Sequence, residues 1–161
     1  MTHALNTMTK RHQEYITPPH IIEALGRFDL DPCGCSTSPI ATASKEYCLP
    51  DHNGLTMPWY GRVWLNPPYG RETGRWLGKL AEHNQGTALI FARTDVDFFH
   101  RLIFKKASGV LFLKGRLTFH DHEGKLYKHN SGAPSCLVSY GLNDLICLRE
   151  CGLEGSIMEL K

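Results

Sequence analysis

Short apolar runs separated by polar turns divide the chain into predicted strands that alternate with predicted helices. Apolar or alternating stretches predict strands at 28–31, 62–65, 87–92, 109–113 and 135–140. Apolar residues spaced three and four apart predict helices at 17–26, 72–83 and 95–105, the first with Thr17 as its N-cap. Residues 36–58 are predicted to be mostly loop, with a short strand at 40–43. This alternation favours an open α/β sheet, mostly parallel, with helices on both faces.

The length of 161 residues is typical of one globular domain. Residues 1–14 are polar and aperiodic, so we expect a flexible N-terminal arm and a folded domain spanning 15–161. Two apolar stretches, 117–119 and 125–127, flank an Asp-His-Glu-Gly turn and predict an antiparallel hairpin toward the C-terminus. Little chain is left for a second domain.

The formal net charge of +2 neither requires nor excludes a polyanionic partner. Its distribution is more informative, because Lys and Arg gather at 62–79 and 93–128. No apolar stretch is long enough to span a bilayer, and the N-terminus lacks the basic start and apolar run of a signal peptide. We therefore expect a soluble, cytoplasmic protein with no membrane partner.

Cysteine and histidine spacings do not favour a metal site. The six cysteines lie in a chain without an export signal, so reduced thiols are expected. Cys33 and Cys35 are separated by one residue instead of the two typical of a zinc site. A second cluster spans the predicted hairpin turn, where histidines are usually solvated: His120, Asp121, His122 and His129. No phosphate-binding loop occurs either.

The turn Asn66-Pro67-Pro68-Tyr69 follows directly on a predicted strand, which two successive prolines would end. The Asn66 side-chain oxygen and the Pro67 carbonyl are two acceptors that could hold both hydrogens of an amine, while Tyr69 offers a flat face to a ring. An ordinary strand-ending turn is the alternative. A second turn, 31–34, also ends a strand, so both are expected to face one crevice at the carboxyl edge of the sheet.

Six motifs occur in order along the chain: Tyr15-Ile16-Thr17-Pro18, Phe28-Asp29-Leu30-Asp31-Pro32-Cys33, Asn53-Gly54-Leu55, Trp59, Val63-Trp64-Leu65-Asn66-Pro67-Pro68-Tyr69-Gly70 and Gly115-Arg116-Leu117-Thr118-Phe119. In this order they resemble the phage-encoded DNA N6-adenine methyltransferases of the Dam type, over roughly residues 15–141. The resemblance implies a single-domain, Rossmann-like methyltransferase fold without a large target-recognition domain. It also implies methyl transfer from S-adenosylmethionine to the N6 amine of an adenine flipped out of DNA.

The resemblance assigns roles to individual residues. It implies a catalytic motif formed by Asn66, Pro67, Pro68 and Tyr69. It implies cofactor contacts by Tyr15, Thr17, Pro18, Asp31, Pro32, Cys33, Gly34, Asp51 and Asn53. Among these, Thr17 and Pro18 would pack against the methionine end and Asp31 would lie near the methionine amine. Asn53 stands where many relatives have aspartate near the cofactor's adenine, so Asp51 is an alternative there.

Candidate DNA or target-base contacts are Arg71, Arg93, Asp95, Arg116 and Phe119, with Arg62 and Arg75 completing a basic rim. Phe119 is expected either in the core or as a wall opposite Tyr69, and Asp95 either caps a helix or helps to hold the target strand. The loops at 70–75 and 116–134 would have to read the DNA, which favours a short or relaxed target site.

Three other functions remain open at this point. A glutamine-N5 or cytosine-N4 methyltransferase would use the same chemistry at another amine, and a catalytically silent DNA-binding or antirestriction module would keep the fold alone. Neither the recognised DNA sequence nor the oligomeric state is indicated by the residues.

Overall fold

The computed structural model describes residues 15–35 and 37–160, so the predicted N-terminal arm lies outside the described residues. The helices are α1 (Pro19–Leu25), α2 (Thr73–His83), α3 (Leu142–Glu150) and a π-helix (Phe99–Phe104). The strands are β1 (Leu30–Asp31), β2 (Lys45–Glu46), β3 (Val63–Leu65), β4 (Gly86–Phe91), β5 (Gly109–Leu113), β6 (Ser135–Tyr140) and β7 (Gly155–Glu159).

The strands of the described residues form one sheet in the order β2-β1-β3-β4-β6-β5-β7. The half from β2 to β4 is parallel, whereas β6 pairs antiparallel with both β4 and β5, and β7 pairs antiparallel with β5. The expectation of a mostly parallel sheet was therefore wrong, since the longer strands lie in the antiparallel half. The reason is the connection between β5 and β6, because residues 114–134 contain no crossover helix and the chain returns in the opposite direction.

Helices cover both faces of the sheet, as expected. On one face, α2 and the π-helix bury residues that include Trp76, Leu77 and Phe99 against alternate strand residues. On the other face, α1 and α3 pack around Trp64 and Phe119. Because successive strand residues point to opposite faces, β3 contributes Val63 and Leu65 to the first core and Trp64 to the second.

Several predicted elements differ from the structure in detail. Helix α1 is capped by Pro18 without a side-chain hydrogen bond, so Thr17 is not its N-cap. The strand expected at 40–43 is replaced by β2 further along the chain. The predicted hairpin is reduced to a single bridge between His120 and Leu126. Helix α3 and strand β7 were not predicted, because β7 is exposed throughout and α3 buries few apolar residues.

Arg62 does not belong to a basic rim but anchors the fold. Its Nε lies 2.9 Å from Oδ1 of Asp144, which is 1% exposed, and its Nη1 donates to the Leu25 carbonyl at the end of α1. The guanidinium carbon lies 4.0 Å from the centre of the Phe28 ring. Thr87 of β4 donates to the same Asp144 oxygen at 2.8 Å. The ion pair therefore ties α1, the central strands and α3 together.

Within the described residues, no helix combines the length and apolar character needed to cross a bilayer. None of the six cysteines forms a disulfide within the described residues.

We predict that Arg62→Ala lowers the free energy of unfolding by about 3–5 kcal/mol, because it leaves the buried Asp144 carboxylate without its cation. Arg101→Ala is the matched control, since its pair with Asp97 is exposed and should contribute less than about 0.5 kcal/mol. Urea denaturation of both variants measures the two losses. Equal losses would contradict the anchoring role.

Candidate active site

The candidate site lies at one edge of the sheet. The carboxyl ends of β1, β3 and β4 place Asp31, Asn66 and Phe91 there, and the antiparallel register opposes Phe91 to Ser135 at the start of β6. The connection 114–134 therefore reaches the same edge. The expectation that the Asp31 and Asn66 turns face one crevice is met, since both residues line one small cavity beside Tyr15.

Asn66 is held in a defined orientation. Its side-chain nitrogen donates to the Tyr15 carbonyl at 2.9 Å and to the Thr17 hydroxyl at 3.3 Å. Its side-chain oxygen is buried and accepts no hydrogen bond from the described residues. A buried polar atom without a partner is costly, so this oxygen and the Tyr69 hydroxyl, which is also buried without a partner among the described residues, are the two groups of the site that a ligand would satisfy.

Beside Asn66 lies a cavity of ≈ 300 Å³, the central cavity, which is lined by Tyr15, Asn66, Pro67, Pro68, Tyr69, Phe91 and Ser131. The Tyr69 ring stacks on Phe91 with 4.2 Å between centroids and 13° between planes. Tyr15 meets Tyr69 edge-on at 6.0 Å. Burial raises the pKa of Tyr69, so its phenol stays protonated.

Phe119 does not stand opposite Tyr69. It is 2% exposed and belongs to the core around Trp64, while Phe91 packs on the Tyr69 ring. Phe119 reaches the site only through the edge of Tyr15, at 6.0 Å between ring centroids. The sequence did not single out Phe91, because the last residue of an apolar strand has no distinguishing signal.

The Asp31 turn forms an acidic cavity that also includes Thr17, Gly34, Thr42, Glu46 and Asn66. The Asp31 carboxylate accepts hydrogen bonds from the Cys33 amide at 2.9 Å and from the Thr42 hydroxyl. Burial raises the pKa of Asp31 to about 7. The cavity measures ≈ 20 Å³, which is enough for one or two groups of the size of water or ammonium.

Glu46 is a second carboxylate in the acidic cavity that sequence reasoning missed. The parallel register of β1 and β2 sets it beside Asp31, and Thr42 Oγ1 lies 3.2 Å from its Oε1. Burial also raises the pKa of Glu46. A Cβ on Gly34 would lie 2.7 Å from Glu46 Cβ, which explains the glycine at that position. Only the pairing of two distant segments reveals this carboxylate.

A third, mostly apolar cavity of ≈ 230 Å³ adjoins the first two. It is lined by Pro32, Cys33, Tyr47, Leu49, Asn53, Gly54, Leu55, Pro68, Glu72, Arg75 and Trp76. The 53–55 turn packs so closely on the Asp31 turn that a Cβ on Gly54 would meet the Pro32 carbonyl oxygen at 1.9 Å. Asn53 lines this cavity, whereas Asp51 is exposed and lines none of the cavities described here.

On the other side of Tyr15, the connection 114–134 forms an open cleft of ≈ 560 Å³. This loop cleft is lined by Tyr15, Phe119, Tyr127, Lys128, His129, Asn130 and Ser131, and it shares Tyr15 and Ser131 with the central cavity. Tyr127 and Lys128 were not among the predicted site residues, although they fall within the predicted reading loop 116–134.

The remaining predicted DNA contacts are exposed. Arg71, Arg93 and Arg116 lie on the surface, and the guanidinium carbon of Arg93 is 5.8 Å from the centre of the Phe91 ring. Asp95 is exposed and does not cap the following π-helix, whose N-cap is Phe98. Arg75 pairs with Glu72 at 3.0 Å beside the apolar cavity. Among the described residues, no three His, Cys, Asp or Glu side chains are grouped to hold a metal ion.

A comparison with protein families decides the family. The family model described as DNA N-6-adenine-methyltransferase (Dam) matches residues 5–141. The chain belongs to the Dam family. None of the curated proteins compared with the chain matches it.

Membership of the Dam family makes DNA adenine-N6 methylation the general activity of this chain. The single mixed sheet with helices on both faces is consistent with a methyltransferase fold. The matched segment contains every cavity described above, whereas α3 and β7 lie beyond it.

We predict that Asp31 makes stability fall as pH rises. The pKa of Asp31 is about 7 in the folded chain, whereas the ordinary pKa of an aspartate is 3.8. Between pH 3.8 and pH 7 the folded state therefore holds a proton that the unfolded state has lost. Relative to Asp31→Asn, the wild-type free energy of unfolding should decrease between pH 5 and pH 7.5, on the order of a few kcal/mol. Urea denaturation at both pH values measures this difference. A constant difference would contradict the raised pKa.

Proposed function

We propose that the chain transfers a methyl group from S-adenosylmethionine to the N6 amine of an adenine flipped out of DNA. The observation that carries the proposal is the buried side-chain oxygen of Asn66, a residue that lines the central cavity, because this oxygen accepts no hydrogen bond from the described residues. An exocyclic amine supplies the missing donor. The glutamine-N5 and cytosine-N4 alternatives receive no support from the family match, which favours adenine.

The Asn66-Pro67 pair explains how the amine would be activated. An aromatic amine is a poor nucleophile because its lone pair is delocalised into the ring. The Asn66 oxygen and the Pro67 carbonyl would accept its two hydrogens, which reduces delocalisation into the ring and concentrates the lone pair on the nitrogen. The Tyr69 ring, supported from behind by Phe91, would stack on the base, which contributes roughly 1–3 kcal/mol.

The residues around Asn66 fit the proposed cofactor. When bound, S-adenosylmethionine supplies a methyl group attached to a positively charged sulfur, and the methyl carbon is the electrophile. The acidic cavity has the volume of an ammonium group and two carboxylates to hold it, those of Asp31 and Glu46. The apolar cavity with Asn53 suits a purine ring. Cys33 lines both cavities, so the two ends of one ligand could occupy them together.

DNA would approach from the side of the loop cleft. A base must leave the duplex to enter the central cavity, at a cost of a few kcal/mol. Tyr127 and Lys128 in the adjoining cleft, with the exposed Arg71, Arg93 and Arg116, offer an aromatic surface and cations for the neighbouring strand. Because the loop cleft itself is formed mainly by one short connection, we propose a short or relaxed target site.

The first test is the transfer of tritiated methyl groups to unmodified DNA, followed by identification of the modified base. We expect N6-methyladenine. Asn66→Ala should lower kcat by at least about 100-fold, because it removes one of two aligned acceptors, while the Kd of S-adenosylmethionine stays within about threefold.

Any other product would indicate a different function. Detection of N4-methylcytosine would identify cytosine as the target base. Methylation of protein alone would indicate a glutamine target. Absence of both cofactor binding and transfer would identify a silent DNA-binding module. Wild-type activity of Asn66→Ala would show that the amine is held by other residues.

The second test is calorimetric titration of S-adenosylmethionine against Asp31→Asn. The loss of a carboxylate facing the ligand's amine should raise Kd about 10- to 100-fold. For the wild type, Kd should rise as pH falls below about 7, because protonated Asp31 carries no charge, and the variant should lose this dependence.

Asp51→Asn is the matched control, since Asp51 is exposed and lies outside the described cavities. Its Kd should equal that of the wild type. A loss of affinity in Asp51→Asn but not in Asp31→Asn would show that Asp51 is the acidic residue that contacts the cofactor.

A further inference from the structure

The proposed activation of the amine depends on which way the Asn66 amide points. A carboxamide can present either its oxygen or its nitrogen to the central cavity after a half-turn of the side chain. Only the oxygen accepts the amine hydrogens, whereas the nitrogen would oppose them with hydrogens of its own. Some part of the structure must therefore exclude the second orientation.

The Tyr15 carbonyl determines part of this orientation. A backbone carbonyl accepts hydrogen bonds and never donates them, so the Asn66 atom that faces it at 2.9 Å must be the nitrogen. The Thr17 hydroxyl at 3.3 Å is the second partner. A hydroxyl can donate as well as accept, so by itself it would tolerate either orientation.

Trp64 holds the Thr17 oxygen in place beside Asn66. Its indole nitrogen is a donor only, is fully buried within β3, and lies 3.3 Å from Thr17 Oγ1. The Thr17 oxygen accepts from the indole and from the Asn66 nitrogen, which together occupy both of its lone pairs. Thr17 itself is 1% exposed.

We propose that Thr17 is a positioning residue for methyl transfer, which uses its hydroxyl oxygen to hold the Asn66 amide nitrogen in the orientation that the Tyr15 carbonyl sets, so that the amide oxygen is left for the substrate amine. This inference rests on the proposed function. It differs from the cofactor contact that the family resemblance implies for Thr17, because the hydroxyl is already engaged with Trp64 and Asn66. The two roles predict different effects on kcat and on cofactor affinity.

The kinetic test compares Thr17→Val with Thr17→Ser. Valine keeps the shape of threonine but removes the acceptor, whereas serine keeps the acceptor. We expect Thr17→Val to lower kcat at saturating cofactor about fivefold to tenfold, the value of one hydrogen bond, with the Kd of S-adenosylmethionine and the KM of DNA unchanged. Thr17→Ser should restore kcat. Assays are run well below the melting temperature of Thr17→Val, because that variant leaves the Trp64 indole without an acceptor.

The structural readout is the hydrogen-exchange rate of the Asn66 side-chain amide, which is measured by NMR of the ¹⁵N-labelled protein. The Asn66 amide signals are assigned as those that disappear in Asn66→Ala. In Thr17→Val the amide hydrogens should exchange about fivefold faster than in wild type and in Thr17→Ser.

Unchanged exchange in Thr17→Val would overturn the proposal, as would a raised cofactor Kd with unchanged kcat. If the wild type transfers no methyl group to DNA, the proposed function fails, and the exchange rates alone confirm or overturn the role of Thr17 in holding the amide.

Discussion

The hydrogen bonds from the Asn66 side-chain nitrogen to Tyr15 and Thr17 are the constraint on which the candidate site depends. They join the chain segment before α1 to the end of β3, and they leave the amide oxygen as a buried acceptor that receives no hydrogen bond from the described residues. The same segment is bound to the connection 114–134 by reciprocal backbone hydrogen bonds between Ile16 and His120. One short segment therefore contacts both the Asn66 turn and the loop cleft.

Much of the fold could be predicted because burial leaves a local signal. The apolar runs that became β4, β5 and β6 are visible in the sequence, as is the amphipathic pattern of α2. Strand direction was not predictable in this way, because it depends on whether a connection contains a crossover helix. Helix α3 and β7 were missed because exposed residues such as Leu142 and Ile157 obscure any periodic pattern.

The candidate site shows the same difference between local sequence features, which could be predicted, and contacts between distant segments, which could not. The Asn66 and Asp31 turns could be found because proline and a polar residue after a strand are local features. The places of Glu46 and Phe91 and the hydrogen bond between Thr17 and Asn66 could not, since each results from contacts between distant segments. Arg62 is the opposite case: its place among other cations predicted a DNA contact, but the buried Asp144 carboxylate binds it inside the fold.

The central claim is that the Asn66 oxygen receives the amine that becomes methylated. Its most direct test is a crystal structure with DNA containing adenine and an unreactive analogue of S-adenosylmethionine that lacks the transferable methyl group. We expect an extrahelical adenine whose N6 lies about 3 Å from both Asn66 Oδ1 and the Pro67 carbonyl oxygen. An adenine bound elsewhere, or an Asn66 amide with its nitrogen turned toward N6, would contradict this claim.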